Sequence, residues 1–288
     1  MRGSLIHNVR DMNNAQLFVV ATPIGNLEDI TLRALDVLGS VDVIAAEDTR
    51  RTRILMNRHN LVTPLVALQE HNEEQKAPQL VERLRSGEAV ALVSDAGTPL
   101  LSDPGYRLVR LAVAAGIDVV TVPGPSAITA ALSISGLPTD RFTFEGFLPA
   151  RASARLKQLA ALVAEPRTMV FFESSHRIRE SLRDLAKVLG DEREVAVCRE
   201  MTKQFETVLR GPLANVIERV DTDSNQRKGE FVVVVSGCRA DGESRFPEAL
   251  ALARSLLEYL TASQASRVAA RLHGVPRREV YAELEKKE

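Results

Sequence analysis

The chain has 288 residues, 45% of them hydrophobic and 26% charged, a composition that excludes disordered and fibrous classes. A prior of about 100–200 residues per domain gives two domains or one large one. Lys and Arg number 37 against 38 Asp and Glu, so the net charge of -1 excludes nucleic-acid binding by bulk electrostatics and confines such contact to local patches. Two cysteines, Cys198 and Cys238, are too far apart for a metal-ligand pair and too few for a disulfide framework, and with no other metal-ligand cluster visible no metal site is expected. No apolar run approaches the roughly 20 residues of a membrane span. The polar stretch Met1 to Asn14 lacks the apolar core of a secretory signal, and residues 1–16 read as a flexible tail on a cytoplasmic protein.

From Leu17, short β-branched runs alternate with segments of helical period. Strands are predicted at Leu17–Ala21, Asp42–Ala46, Leu65–Leu68, Ala89–Val93 and Asp118–Val122. Helices are predicted at Ile30–Leu38, Thr49–Arg58, Glu73–Ser86, Tyr106–Ala115 and Ser126–Ser135. This alternation implies a parallel sheet covered on both faces, spanning residues 17–136. The segment GLPTD (Gly136 to Asp140) breaks the rhythm. A second unit, 137–238, follows, with strands at Thr143–Gly146, Thr168–Phe172, Glu194–Cys198, Glu206–Gly211 and Glu230–Ser236. Its helices fall near Ala152–Val163, His176–Leu189 and Leu213–Val220. Two of those strands come in succession without a helix between them, which implies a mixed sheet. A linker, CRADGESRF, precedes a helical tail over 246–288, with helices at Glu248–Leu260, Ser263–Leu272 and Arg277–Lys286. The turn His273-Gly274-Val275-Pro276 separates the last two in the manner of a helix-turn-helix.

In the first half, Gly and Pro concentrate in three loops, each leaving a strand at its carboxyl end: Thr22 to Asn26, Ser94 to Pro99, and Pro123 to Ala127. In a parallel sheet those ends share one edge, where open α/β sheets bind ligands. Gly admits close backbone approach and Pro fixes φ, which suits a small polar ligand held by backbone. Neither a dinucleotide fingerprint nor a phosphate-cradling P-loop occurs, so the ligand need not be a phosphate.

Five motifs of the first half, ATPIGNLEDIT (Ala21 to Thr31), AAEDTR (Ala45 to Arg50), EHNE (Glu70 to Glu73), SDAGTPLLSDPG (Ser94 to Gly105) and VPGPSA (Val122 to Ala127), resemble those of the tetrapyrrole-methylase-like methyltransferases. The second half continues the resemblance with DRFTFEGFLP (Asp140 to Pro149), FFESSHR (Phe171 to Arg177), REMTK (Arg199 to Lys203) and RKGEFVVVV (Arg227 to Val235). The likeness is greatest to the branch of that family acting on ribosomal RNA. It implies two α/β domains with a cleft between them plus a small C-terminal helical domain, S-adenosylmethionine (SAM) in the cleft, and a homodimer. The implied reaction is methyl transfer to the ribose 2'-OH of a decoding-centre cytidine of 16S rRNA in the small ribosomal subunit. SDAGTP stands where tetrapyrrole enzymes commonly carry a GDP-type loop, a departure from the C-methylating members. A small-molecule methyltransferase and a non-catalytic RNA-binding module are the alternatives.

Carried onto this chain, the resemblance implies cofactor contacts at Pro23, Ser94, Asp95, Ala96, Gly97, Thr98, Pro99, Ser126 and Ala127. From the second half it implies Phe172, Glu173, Arg199, Glu200, Gly229 and Glu230. Methyl transfer to an alcohol needs in-line positioning and a proton acceptor. Polar residues beside strand ends supply the candidates Glu47, Asp48, His71, Glu173 and His176, of which Asp48, His71 and Glu173 are the catalytic expectations. Asp48 also reads as an N-cap.

Basic residues are unevenly placed. Between Arg151 and Lys187 there are eight basic and four acidic residues. RNA contacts are expected at Arg50, Arg51 and Arg53, at Arg177, at Arg227 and Lys228, and at Arg267, Arg271, Arg277 and Arg278 around the helical turn.

Overall fold

The computed structural model describes residues 15–238, 245–273 and 275–285, with the side chains of 245–247 excepted. The predicted tail to residue 14, most of the CRADGESRF linker, Gly274 of the predicted turn and the final helical residue Lys286 lie outside these. The chain divides into two compact units, one holding the described residues to Ala160 with Thr168–Val235, the other Ala161–Arg167 with the described residues from Ser236 onward.

The first half of the larger unit runs β1(Gln16–Val20), α1(Leu32–Ser40), β2(Val43–Ala46), α2(Thr49–Arg58), β3(Leu65–Ala67), α3(Glu73–Arg85), β4(Val90–Val93), α4(Tyr106–Ala114), β5(Asp118–Val122) and α5(Ala127–Ser135). All five strands pair in parallel, in the order β3-β2-β4-β1-β5. The central strands β2 and β4 are wholly buried because helices cover both faces, which is why they read as unbroken apolar runs. Leu17, Val43 and Leu92 pack on one side, with Leu80, Leu84 and Leu108 from α3 and α4. Val20, Ile44 and Val93 pack on the other, with Val37, Leu38 and Met56 from α1 and α2. Each such side chain contributes about 1.5–3 kcal/mol on burial.

The second half runs β6(Phe142–Phe147), α6(Ala152–Ala161), β7(Thr168–Ser174), α7(Ile178–Leu189), β8(Glu194–Arg199), β9(Thr207–Pro212), α8(Leu213–Thr222), a 3₁₀ turn at Ser224–Arg227 and β10(Glu230–Val235). Its sheet order is β6-β7-β10-β8-β9, with β6 and β7 parallel and the remaining pairs antiparallel, a mixed sheet as expected. Helix α5 carries Ile128, Ala131 and Leu132 into the core of this second sheet beside Val170, Ala196 and Val232.

In the smaller unit, α9(Arg245–Leu256), α10(Ala262–His273) and α11(Arg277–Glu285) enclose Ala249, Ala253, Ala269, Ala270 and Val280. Alanine at four-residue spacing puts small side chains on one face, which lets helices approach closely. Arg277 donates to the Ser263 hydroxyl at 2.8 Å, joining the start of α11 to that of α10. Among the described residues, no helix is long and apolar enough to cross a membrane.

Candidate active site

The three Gly/Pro loops meet as the parallel topology requires. Thr22 and Gly97 exchange backbone hydrogen bonds of 2.9 Å each way, and the Thr98 hydroxyl donates to the Pro125 carbonyl at 3.1 Å. The first loop also reaches the second sheet, where the Asn26 N–H donates to the Thr202 hydroxyl at 3.0 Å. Between the sheets lies a cavity of about 470 Å³. The first half lines it with Ile24, Glu47, Arg51, Asp95, Ala96, Ser102, Asp103 and Ala127. The second half adds Phe147, Phe172 to Ser175, Glu200, Met201, Lys203 and Gly229 to Val232.

Of the predicted cofactor contacts, Asp95, Ala96, Ala127, Phe172, Glu173, Glu200, Gly229 and Glu230 line this cavity. Pro23, Ser94, Gly97, Thr98, Pro99, Ser126 and Arg199 are not among its lining residues. Gly97 and Thr98 tie the loops together, and Ser126 opens α5. Arg199 is buried and donates to the carbonyls of Lys228 at 2.7 Å and Phe205 at 2.8 Å, fixing the wall from inside.

Six carboxylates, Glu47, Asp95, Asp103, Glu173, Glu200 and Glu230, face two cations, Arg51 and Lys203, in the cavity wall. Asp95 accepts the Asp48 N–H at 2.9 Å and pairs with Arg51 at 3.3 Å. Glu47 accepts the Asp95 N–H at 3.2 Å, so the ends of β2 and β4 are interlocked. Lys203 bridges Glu200 at 2.9 Å and Glu230 at 2.8 Å. Burial pushes Glu200 up, but Lys203 and the Glu230 N–H outweigh it and its carboxyl lies below the ordinary range. Glu47 is raised, by burial above all. Asp103 is raised to about 6, first by burial and then by the charge of Glu47.

The backbone is strained at the cavity wall. Among the described residues, five non-glycine residues have positive φ, and four of them, Leu100, Ser102, Glu200 and Thr202, line the cavity or lie within two residues of its wall. Gly229, at φ +99°, would drive a Cβ into Glu200 Oε1, so the wall there closes only around glycine.

The three expected catalytic residues fare differently. Asp48 caps α2, accepting the Arg50 N–H at 2.9 Å, and the Arg50 guanidinium with that N–H holds its carboxyl down at about 2. It does not line the cavity, and so acidic a carboxyl is a poor proton acceptor. His71 lies in an exposed turn before α3, also away from the cavity wall. Glu173 lines the cavity, but its oxygens accept the Ser174 N–H at 2.8 Å and the Ser181 hydroxyl, and pair with Arg177 at 3.1 Å. Its oxygens are thus engaged in anchoring the turn after β7. The residues that reasoning from sequence missed are Ser102, Asp103 and Lys203, although the first two close the SDAGTPLLSDPG motif.

Several expected RNA contacts are likewise engaged inside the fold. Arg177 donates to the Leu148 carbonyl at 2.9 Å as well as pairing with Glu173. Arg227 donates to the carbonyls of Val220 and Asp221 at the end of α8. In the basic stretch from Arg151 to Lys187, Arg155 pairs with Asp184, Arg167 with Glu165, and Arg179 and Arg183 both with Asp221. Arg51 turns to the cleft. Arg50, Arg53, Lys228, Arg267, Arg271, Arg277 and Arg278 are exposed.

One parallel and one mixed five-stranded sheet with an acidic cleft between them define a class. A model of the Tetrapyrrole (Corrin/Porphyrin) Methylases matches residues 16–217, and the chain belongs to that family. A second model, the RsmI C-terminal HTH domain, matches residues 243–287. The chain is 53% identical over 265 residues to ribosomal RNA small subunit methyltransferase I of Xylella fastidiosa, covering 92% of this chain and 97% of that one. It is 49% identical over 275 residues to the protein of the same name from Escherichia coli, covering 96% of each. Among solved structures, uroporphyrin-III C-methyltransferase from Thermus thermophilus complexed with S-adenosyl homocysteine shares the fold, with TM-score 0.52 and 19% identity over 77% of this chain and 97% of that one.

Proposed function

We propose that this protein is a SAM-dependent methyltransferase that methylates the ribose 2'-OH of a cytidine in the decoding centre of 16S rRNA. The shared name of relatives at about half identity supports ribosomal RNA of the small subunit as the substrate. The observation that carries the cofactor reading is the charge of the cleft, where carboxylates outnumber cations six to two. A sulfonium cation suits that wall, whereas the phosphates of a nucleotide cofactor would be repelled. The cavity volume lies within the range of about 300–1,000 Å³ typical of small-molecule sites. Phe147, half-exposed and edge-on to Phe172 at 5.5 Å, offers an aromatic face for a base. S-adenosyl homocysteine in a neighbour of the same fold points the same way.

When bound, SAM supplies a methyl group already activated as an electrophile. The chain's own part is to hold both partners in line, keep out water and take a proton. Asp95, Ala96, Ala127, Phe172, Glu200, Gly229 and Glu230 would hold the cofactor, with the remaining loop residues keeping the wall in place. Arg50, Arg53, Lys228 and the exposed arginines of α10 and α11 would meet RNA phosphates, with affinity that falls as salt rises. A homodimer working in the cytoplasm completes the reading. The test is transfer of tritiated methyl from SAM to small ribosomal subunits that lack the modification. RNA labelling is expected, and label in a tetrapyrrole but not in RNA would overturn the substrate.

A further inference from the structure

Six carboxylates line the cleft, and their partners sort them. Asp95 is held by the Asp48 N–H and Arg51. Glu173 is held by the Ser174 N–H, the Ser181 hydroxyl and Arg177. Glu200 and Glu230 share Lys203. Each of these four is already paired with a cation, so its oxygens are engaged. Glu47 and Asp103 have no ion-pair partner among the described residues, and Glu47 already spends one oxygen on the Asp95 N–H.

Asp103 also sits on a segment built to present it. Leu100 and Ser102 before it are held at φ 72° and 75°, and Gly105 after it at φ 121°, where a Cβ would meet Leu92 Cδ2 at 2.7 Å. Beyond Gly105, a single oxygen of Glu73 accepts the N–H groups of Gly105, Arg107 and Leu108, at 3.2, 2.7 and 3.3 Å. Strained backbone persists where its surroundings over-determine it, and such places gather at sites of chemistry.

We infer that Asp103 takes the proton of the attacking hydroxyl, and that Glu47 tunes it, an assignment that rests on the methyl-transfer reading above. The step balances. The hydroxyl proton passes to the Asp103 carboxylate as the oxygen–methyl bond forms, and the sulfur–methyl bond breaks with its electron pair left on sulfur. The Asp103 carboxylic acid then returns the proton to solvent. The groups that face Asp103 are Glu47 and Asp95, whose charges raise it, and the Ser94 hydroxyl, which lowers it. At about 6, its carboxyl is ionised at neutral pH yet basic enough to accept a proton efficiently.

Asp103→Asn, nearly isosteric, is expected to lower turnover about 10²- to 10⁴-fold while SAM affinity stays within about threefold, and Asp103→Glu to restore part of the rate. Wild-type kcat/KM should fall on the acid side at or below about pH 6, and Glu47→Gln should move that limb to lower pH. Carboxyl ¹³C titration of the ligand-free protein gives a reading independent of turnover. One resonance should titrate near pH 6, vanish in Asp103→Asn and shift down in Glu47→Gln. Wild-type activity with Asp103→Asn unimpaired overturns the assignment alone, as does loss of SAM binding in step with turnover. A wild-type protein that transfers no methyl group overturns the methyl-transfer reading and the assignment together.

Discussion

Replacing Glu73 by alanine strips the N-terminus of α4 of its only side-chain acceptor among the described residues. Gly105, the residue at the cap position, has no side chain, and the three N–H groups of Gly105, Arg107 and Leu108 all point to Glu73 Oε1 at the end of another helix. Loss of an N-cap costs about 0.5–2 kcal/mol, and a carboxylate at a helix N-terminus adds about 0.3–1 kcal/mol from the helix dipole. With Gly105 buried beside Leu92, water replaces only part of what is lost, so the expected cost is about 1–2 kcal/mol. For a unit of this size, each kcal/mol lowers Tm by about 2–4 °C. Thermal and urea unfolding of Glu73→Ala and Glu73→Gln check it. Glutamine keeps an acceptor oxygen without the charge and should recover about half the loss. Because the same carboxylate fixes the segment carrying Asp103, turnover should fall in Glu73→Ala beyond what its stability predicts. An alanine variant within about 0.3 kcal/mol of wild type, with full turnover, would refute the capping role.

Gly229→Ala should cost about 1–3 kcal/mol, from a strained φ of +99° and a Cβ driven against Glu200, and should weaken SAM binding at least about tenfold by calorimetry. For Asp103 the folded pKa, about 6, lies above the unfolded value of about 3.9. Its ionisation therefore opposes folding as pH rises through about 6 and does nothing below about 4, so Asp103→Asn should melt higher than wild type at pH 8 and equally at pH 4. Differential scanning calorimetry at the two pH values reads this directly, and equal melting at both would contradict it. The Cys198 thiol, buried in β8 and pushed up to about 12 by burial, should resist alkylation at pH 8 in the native protein and react once the chain is unfolded in guanidinium.

The architecture was legible wherever burial is two-sided and local. Strands β2 and β4 are apolar throughout because helices cover both faces, and Asp48 announced α2 as a cap before it, whereas the cap of α1 is Thr31, one residue inside the helix predicted from Ile30. The convergence of the three Gly/Pro loops followed from parallel topology alone, and the bridge between Thr22 and Gly97 is its physical form. The chemistry of single side chains was less legible, since it depends on partners distant in sequence. EHNE placed His71 in view as a base, yet its useful residue is Glu73, which acts 32 to 35 positions away as a cap. Asp48 and Asp103 are the same residue type, and only Arg50 beside one and burial near Glu47 around the other drive them to about 2 and about 6. The basic stretch from Arg151 to Lys187 suggested a docking face because nothing local reveals that Asp221 takes both Arg179 and Arg183.

The identity of the methylated nucleoside decides whether this protein is a ribose 2'-O-methyltransferase of 16S rRNA. Small ribosomal subunits from cells lacking the enzyme would be incubated with the protein and SAM, digested to nucleosides and analysed by mass spectrometry, with fragment mapping of the 16S rRNA. The expected product is 2'-O-methylcytidine at one decoding-centre position, absent when Gly229→Val blocks the cleft. A methyl group on a base carbon or nitrogen, or transfer undiminished by the blocked cleft, would contradict it.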